Sequence, residues 1–148
     1  MKAITSLALF AVASVTAIAK PLDGWSTDLP AAMKQARDSG RQVLVEFTGS
    51  DWCPPCIAMR KNVFSKKEFI DAASKKFVLV EIDLPKGDKA VKEKNRPVAE
   101  QYRIDGFPTV LLLTPDDREF GRFYASEHPT VEKFLAHLDK LLAAKPAP

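Results

Sequence analysis

Cys53 and Cys56 are the only cysteines of the chain, and they stand three apart in Trp52-Cys53-Pro54-Pro55-Cys56. The apolar run Val43-Leu44-Val45-Glu46-Phe47 before them reads as a buried strand, and the residues from Cys56 onward read as a helix. A C-x-x-C pair where a strand hands over to a helix suits thiol–disulfide redox chemistry. At the first turn of a helix the free backbone N–H groups and the dipole favour negative charge. A cysteine there carries more of its reactive thiolate. The second cysteine, one turn on, lies close enough to close a disulfide. Other uses of the pair fit less well. Permanent staples usually close longer loops and come in sets. A structural zinc site wants four ligands, and His128 and His137 stand nine apart, wider than the usual H-x₃₋₅-H spacing. Two thiolates could hold Cu(I), but the one nearby methionine, Met59, sits at helical spacing from Cys56 and reads as core.

The chain has 148 residues, a formal charge of +3 and a pI near 8.9. That mild excess does not argue for nucleic acid, since no basic stripe is interleaved with aromatic residues. Lys2, the apolar or small stretch Ala3 to Ile18 and Ala17-Ile18-Ala19 read as a secretory signal peptide. The stretch is short for a membrane span, which needs about 20 apolar residues; an uncleaved anchor is the alternative. The expected organisation is a signal peptide over 1–19, one domain over 20–143 and a flexible tail over 144–148. A bacterial periplasm is the expected destination, with secretion second. In an oxidising compartment, one closely spaced pair favours a working disulfide over a scaffold.

The elements that must position the pair follow from pattern. Asp28 is an N-cap candidate with Pro30 in the first turn, and Gly40 suits the left-handed position after that helix. Thr48-Gly49-Ser50-Asp51 is a turn to which Gly49 gives backbone freedom. The helix from Cys53 runs to about Asn62, and Ser65-Lys66-Lys67-Glu68 forms a capping box for the next. Phe77 to Ile82 is a second buried strand and Val110 to Leu113 a third. Phe120 to Tyr124 alternates as a further strand. The lysine-rich stretch from Pro85 to Pro97 reads as a solvated loop or exposed helix, with docking of an acidic partner as the functional reading, followed by a short helix from Val98 to Tyr102. Val131, Phe134, Leu135, Leu138, Leu141 and Leu142 form the apolar stripe of a last helix. The early alternation of elements implies a parallel crossover and the short Pro115–Glu119 connection an antiparallel hairpin. The fold class is α/β: a central mixed sheet flanked by helices on both faces.

With Trp52-Cys53-Pro54-Pro55-Cys56 after a strand, Gly106-Phe107-Pro108-Thr109 before the third strand and this order of elements, the chain resembles the thioredoxin superfamily from roughly Trp25 to Leu142. The stretch Phe47 to Cys53, with Val63-Phe64 after the helix, is most similar to exported bacterial thioredoxin-like proteins, some of them disulfide-isomerase-like. The resemblance implies a thioredoxin-like fold and thiol–disulfide exchange with no cofactor beyond the redox-active pair. It implies Cys53 as nucleophile, Cys56 as resolving cysteine and Pro108 as a cis-proline packed against them. Phe107 would offer its backbone to an extended client segment. Trp52, Pro54, Pro55 and Thr109 are the remaining candidates for contact with substrate. Glu46 stands nearest to the family's buried acid, one residue further from the first cysteine than usual, and serves either as that base or as a solvent-facing side chain. Pro54-Pro55 replaces the usual Gly-Pro. Pro54 removes an N–H near the thiolate, which makes a less oxidising couple and favours a protein-disulfide reductase. A disulfide isomerase, an oxidase and a Cu(I) carrier are the alternatives. The expected partners are disulfide-containing protein clients and a membrane thiol reductase as electron donor, with the mature protein a soluble monomer.

Overall fold

A computed structural model describes residues 20–146, so the signal-peptide reading lies outside the described residues. Helices α1 (Leu29–Ser39), α2 (Pro54–Met59), α3 (Lys67–Ala73), α4 (Lys89–Gln101) and α5 (Val131–Ala144) surround strands β1 (Gln42–Thr48), β2 (Phe77–Asp83), β3 (Thr109–Leu113) and β4 (Glu119–Tyr124). The sheet order is β2-β1-β3-β4. β1 and β2 are parallel, whereas β3 runs antiparallel to both β1 and β4. This is the expected mixed sheet.

Strand alternation divides the interior in two. Val43, Val45, Phe47, Val78, Val80, Ile82, Leu111 and Leu113 meet α1 and Ala99 of α4 on one face. Leu44, Leu79, Val110, Leu112 and Phe123 meet the α2, α3 and α5 side on the other. That second core is aromatic. Phe134 packs edge-on against Phe64 and Phe69, with ring centroids 5.2 and 5.4 Å away. Trp25 is buried there as well, and its Nε1 donates to the Phe64 carbonyl at 3.2 Å.

Local signals set most boundaries. Asp28 caps α1 by accepting from Ala31 N at 2.9 Å, and Gly40 ends it at φ 68°. Three expectations change. The helix after the cysteines is α-helical only to Met59 and continues as a π-turn over Arg60–Phe64, closed by Ser65 N to Arg60 O at 3.0 Å. Met59, Val63 and Phe64 are all buried along this segment. The capping box is not formed: Lys66 is the N-cap of α3, without a side-chain cap. From Lys89 on, the lysine-rich stretch is the exposed helix of its two expected forms. It does not stop before Val98 but runs on as one helix, α4, capped by Asp88 and carrying Pro97 in its interior. His128 and His137, too far apart in sequence for a zinc pattern, stack with ring centroids 3.9 Å apart.

Candidate active site at the β1–α2 junction

Cys53 is the N-cap of α2, and Pro54 and Pro55 supply its first turn. Proline suits that position because an N–H there has no helical partner to lose. Cys53 and Cys56 are joined as a disulfide with their Cα atoms 5.2 Å apart. Both are buried, while Pro54, Pro55 and Ile57 are exposed, Ile57 at 46%. The disulfide therefore lies just under an apolar surface. Phe107 and Pro108, joined by a cis peptide bond, precede β3. The Phe107 ring stands edge-on to Trp52 at 5.6 Å, and Thr109 is buried with its hydroxyl donating to Gly106 O at 2.8 Å. The tertiary structure thus joins Trp52, next to the cysteines in sequence, with the distant Phe107-Pro108 segment.

The turn before the cysteines is tied down from below. Asp83 at the end of β2 accepts from Ser50 N and Oγ at 3.0 and 2.5 Å. Asp51 accepts from Lys86 N and Gly87 N at 2.9 and 2.6 Å. Slight burial of Asp51 opposes its ionisation, but those two N–H groups outweigh it and hold the carboxyl below its ordinary range. Trp52 Nε1 donates to Leu84 O at 2.8 Å, and the Lys86 ammonium stands 5.2 Å from the Trp52 ring centroid. The start of the lysine-rich segment is therefore a wall of this site. Gly49 has a different role from the one expected. Its φ is not positive; a Cβ there would lie 2.4 Å from the Trp52 ring. Space for the indole, not backbone freedom, requires glycine.

Glu46 is buried, 1% exposed, so the solvent-facing alternative is excluded. It alternates with Val45 and Phe47 and faces the α2 side. Desolvation by burial, reinforced by the Glu81 carboxylate, holds its proton to well above the ordinary carboxylate range. Arg60 opposes that shift. Glu46 Oε1 has no hydrogen-bond partner among the described residues.

Glu81 and Arg60 escaped the sequence reading. Arg60 Nη1 donates to Glu81 Oε2 at 2.6 Å, and Arg60 also reaches the Lys20 carbonyl. A signal for Glu81 was present. Val43-Leu44-Val45-Glu46 and Val78-Leu79-Val80-Glu81 are the same tetrapeptide, and parallel pairing sets them side by side in register, Glu46 against Glu81.

The profile of the thioredoxin-like family matches residues 24–115. Thioredoxin-related protein DsbJ of Chlamydia pneumoniae is 33% identical over 101 residues, covering 66% of this chain and 29% of that protein. Disulfide bond reductase DsbH of the same organism is 29% identical over 94 residues, 62% of this chain and 57% of that one. The chain thus spans less than two thirds of the length of these relatives. A solved DsbH oxidoreductase superposes with a TM-score of 0.73 over 93% of this chain and 96% of that chain at 21% identity, a likeness of fold. A thioredoxin from Thermus thermophilus superposes with a TM-score of 0.63 over 78% and 85% at 26% identity. With the matched profile reaching from before α1 to the end of β3 and enclosing both the cysteine pair and the cis-proline, this chain belongs to the thioredoxin-like family.

Proposed function

We propose that this protein is an exported thiol–disulfide oxidoreductase that reduces protein disulfides through Cys53 and Cys56. The observation that carries the reading is the buried Cys53–Cys56 disulfide at the first turn of α2, flanked by exposed Pro54, Pro55 and Ile57. In the reduced protein the Cys53 thiolate attacks a client disulfide. One client sulfur leaves as a thiolate and the other is bound to Cys53. Cys56 then gives its proton to Glu46, attacks Cys53 Sγ and releases the second client thiolate, leaving Cys53–Cys56 oxidised. Two electrons pass to the client, and no cofactor takes part. Phe107 offers its backbone beside Pro108 to an extended client segment, and Trp52, Pro54, Pro55 and Thr109 complete the contact surface.

Two features favour reduction over oxidation. Pro54 leaves one N–H fewer near the Cys53 thiolate than a glycine would supply. One relative is named a disulfide bond reductase, and others are thiol:disulfide interchange proteins named DsbD. A membrane thiol reductase is the electron donor of this reading. The apolar stretch from Ala3 to Ile18 and Ala17-Ile18-Ala19 support cleavage and delivery to a periplasm.

The first experiment is equilibration of the Cys53–Cys56 couple against glutathione and thioredoxin standards. A potential near about −270 mV, thioredoxin-like, is expected, and one near about −120 mV would make the protein an oxidant. Cys56→Ser is expected to accumulate mixed disulfides at Cys53, whereas Cys53→Ser abolishes turnover. Undiminished activity of both variants would sink the exchange mechanism.

A further inference from the structure

On the α2 side of the sheet, β1 and β2 pair Leu44 with Leu79, Glu46 with Glu81 and Thr48 with Asp83. The pairs become more polar toward the strand ends that lead to the disulfide. Two carboxylates directly opposite in a sheet and both buried cannot cheaply carry two charges. Arg60 treats the two unequally. It lies at the start of the π-turn continuing α2, with its side chain 24% exposed, and it grips Glu81, whose side chain is 5% exposed, at 2.6 Å. Burial raises the proton affinity of Glu81 too, but the charge-assisted contact with Arg60 opposes that and favours the anion at Glu81. Among the described residues Glu46 Oε1 has no hydrogen-bond partner. The other groups around Glu46 are the Thr48 hydroxyl, Asp83 and Val110 opposite on β3, and α2, which carries Cys56, packs on this face through Met59. Asp83 is itself occupied by Ser50.

We propose that Glu81, held as a carboxylate by Arg60, is a positioning residue for the Glu46 proton, keeping that proton on Glu46 until Cys56 leaves the disulfide. The inference rests on the exchange reading above. When a donor thiolate attacks Cys53 Sγ, the Cys53–Cys56 bond breaks and its electron pair goes to Cys56 Sγ. Cys56 takes the Glu46 proton, and the new carboxylate at Glu46 faces Glu81. A second donor thiol then releases Cys53 as a thiolate and leaves the donor as a disulfide. In the next half-reaction Cys56 returns its proton to Glu46 as it attacks the mixed disulfide. The repulsion from Glu81 drives that return, so one proton serves both halves of the cycle.

The test uses the full oxidised protein. A carboxyl ¹³C titration is expected to show Glu46 protonated and Glu81 ionised at pH 7; the opposite assignment overturns the proposal without any substitution. The second measurement is the pH dependence of disulfide reduction by dithiothreitol, with each variant divided by Glu46→Gln at the same pH so that the reductant's own ionisation cancels. Glu81→Gln is expected to move the midpoint of that ratio down by about one pH unit, as loss of a nearby like charge does. Arg60→Lys keeps the charge and is expected to leave the midpoint in place. A folded Glu81→Gln protein with an unmoved or raised midpoint overturns the role of Glu81. If Glu46→Gln itself matches the unaltered protein at every pH, the role of Glu46 in the exchange reading fails instead.

Discussion

Toward α1, β1 and β2 present Val43, Val45 and Phe47 beside Val78, Val80 and Ile82; toward α2 the same strands present Leu44, Glu46 and Thr48 beside Leu79, Glu81 and Asp83. Both faces are buried, yet only one carries ionisable groups. The α1 face is apolar along its whole length, as expected of a strand buried on both sides. The α2 face is equally apolar at its far end, under Phe64, Phe69 and Phe134, and turns polar where the strands approach the disulfide. Buried carboxyl groups lower stability unless something compensates them. Their confinement to the disulfide end of one face places that cost beside the chemistry.

Four substitutions break or sharpen this contrast. Phe134→Ala empties the middle of the aromatic cluster and is expected to lower stability by about 3–5 kcal/mol in chemical denaturation. The exchange rate of the remaining folded protein stays unchanged, since the residue belongs to the apolar end. A lost rate per folded molecule would show that the two ends are coupled.

Glu46→Leu is expected to slow exchange about 100-fold and yet to raise stability at pH 7 by about 1–2 kcal/mol. The sign follows from the raised proton affinity of Glu46. The folded protein binds that proton more tightly than the unfolded chain, so its stability falls as pH rises above 4.5, the ordinary value, until Glu46 ionises in the fold. The gain from leucine therefore shrinks below that pH. Denaturation midpoints at pH 4 and pH 7 check it, and an equal gain at both would mean that the carboxyl's charge is irrelevant.

Gly49→Ala drives a methyl group into the Trp52 ring, 2.4 Å away, and is expected to cost about 1–3 kcal/mol. The indole must leave Leu84 O and the Phe107 ring, which shifts tryptophan fluorescence and raises KM for protein clients more than for small disulfides. The smallest effect belongs to the α1 side. Asp28→Ala removes the N-cap of α1 and is expected to cost about 1 kcal/mol with no change in exchange rate or its pH dependence. A changed pH profile there would erase the distinction between the faces.

The sequence by itself determined whatever depends on short-range pattern. The cysteine spacing, the strand before it, the caps at Asp28 and Gly40 and the apolar stripe of α5 are local, and each was legible because a few neighbouring residues decide it. Ser65 and Gly49 were misread for the converse reason. The π-turn carries the chain through to Ser65, which becomes its C-cap and not the start of the next helix, and the demand on Gly49 comes from an indole packed over it. Tertiary structure alone decided the electrostatics. One glutamate in each of two apolar runs says little, and the repeated Val-Leu-Val-Glu gains meaning only when parallel pairing lays the two copies side by side. Arg60 then reaches Glu81 from the π-turn after α2, a separation of 21 residues. Burial, the neighbouring charge and the lack of a hydrogen-bond partner at Glu46 Oε1 among the described residues are properties of that assembled surface, because proton affinity depends on what surrounds a carboxyl in space.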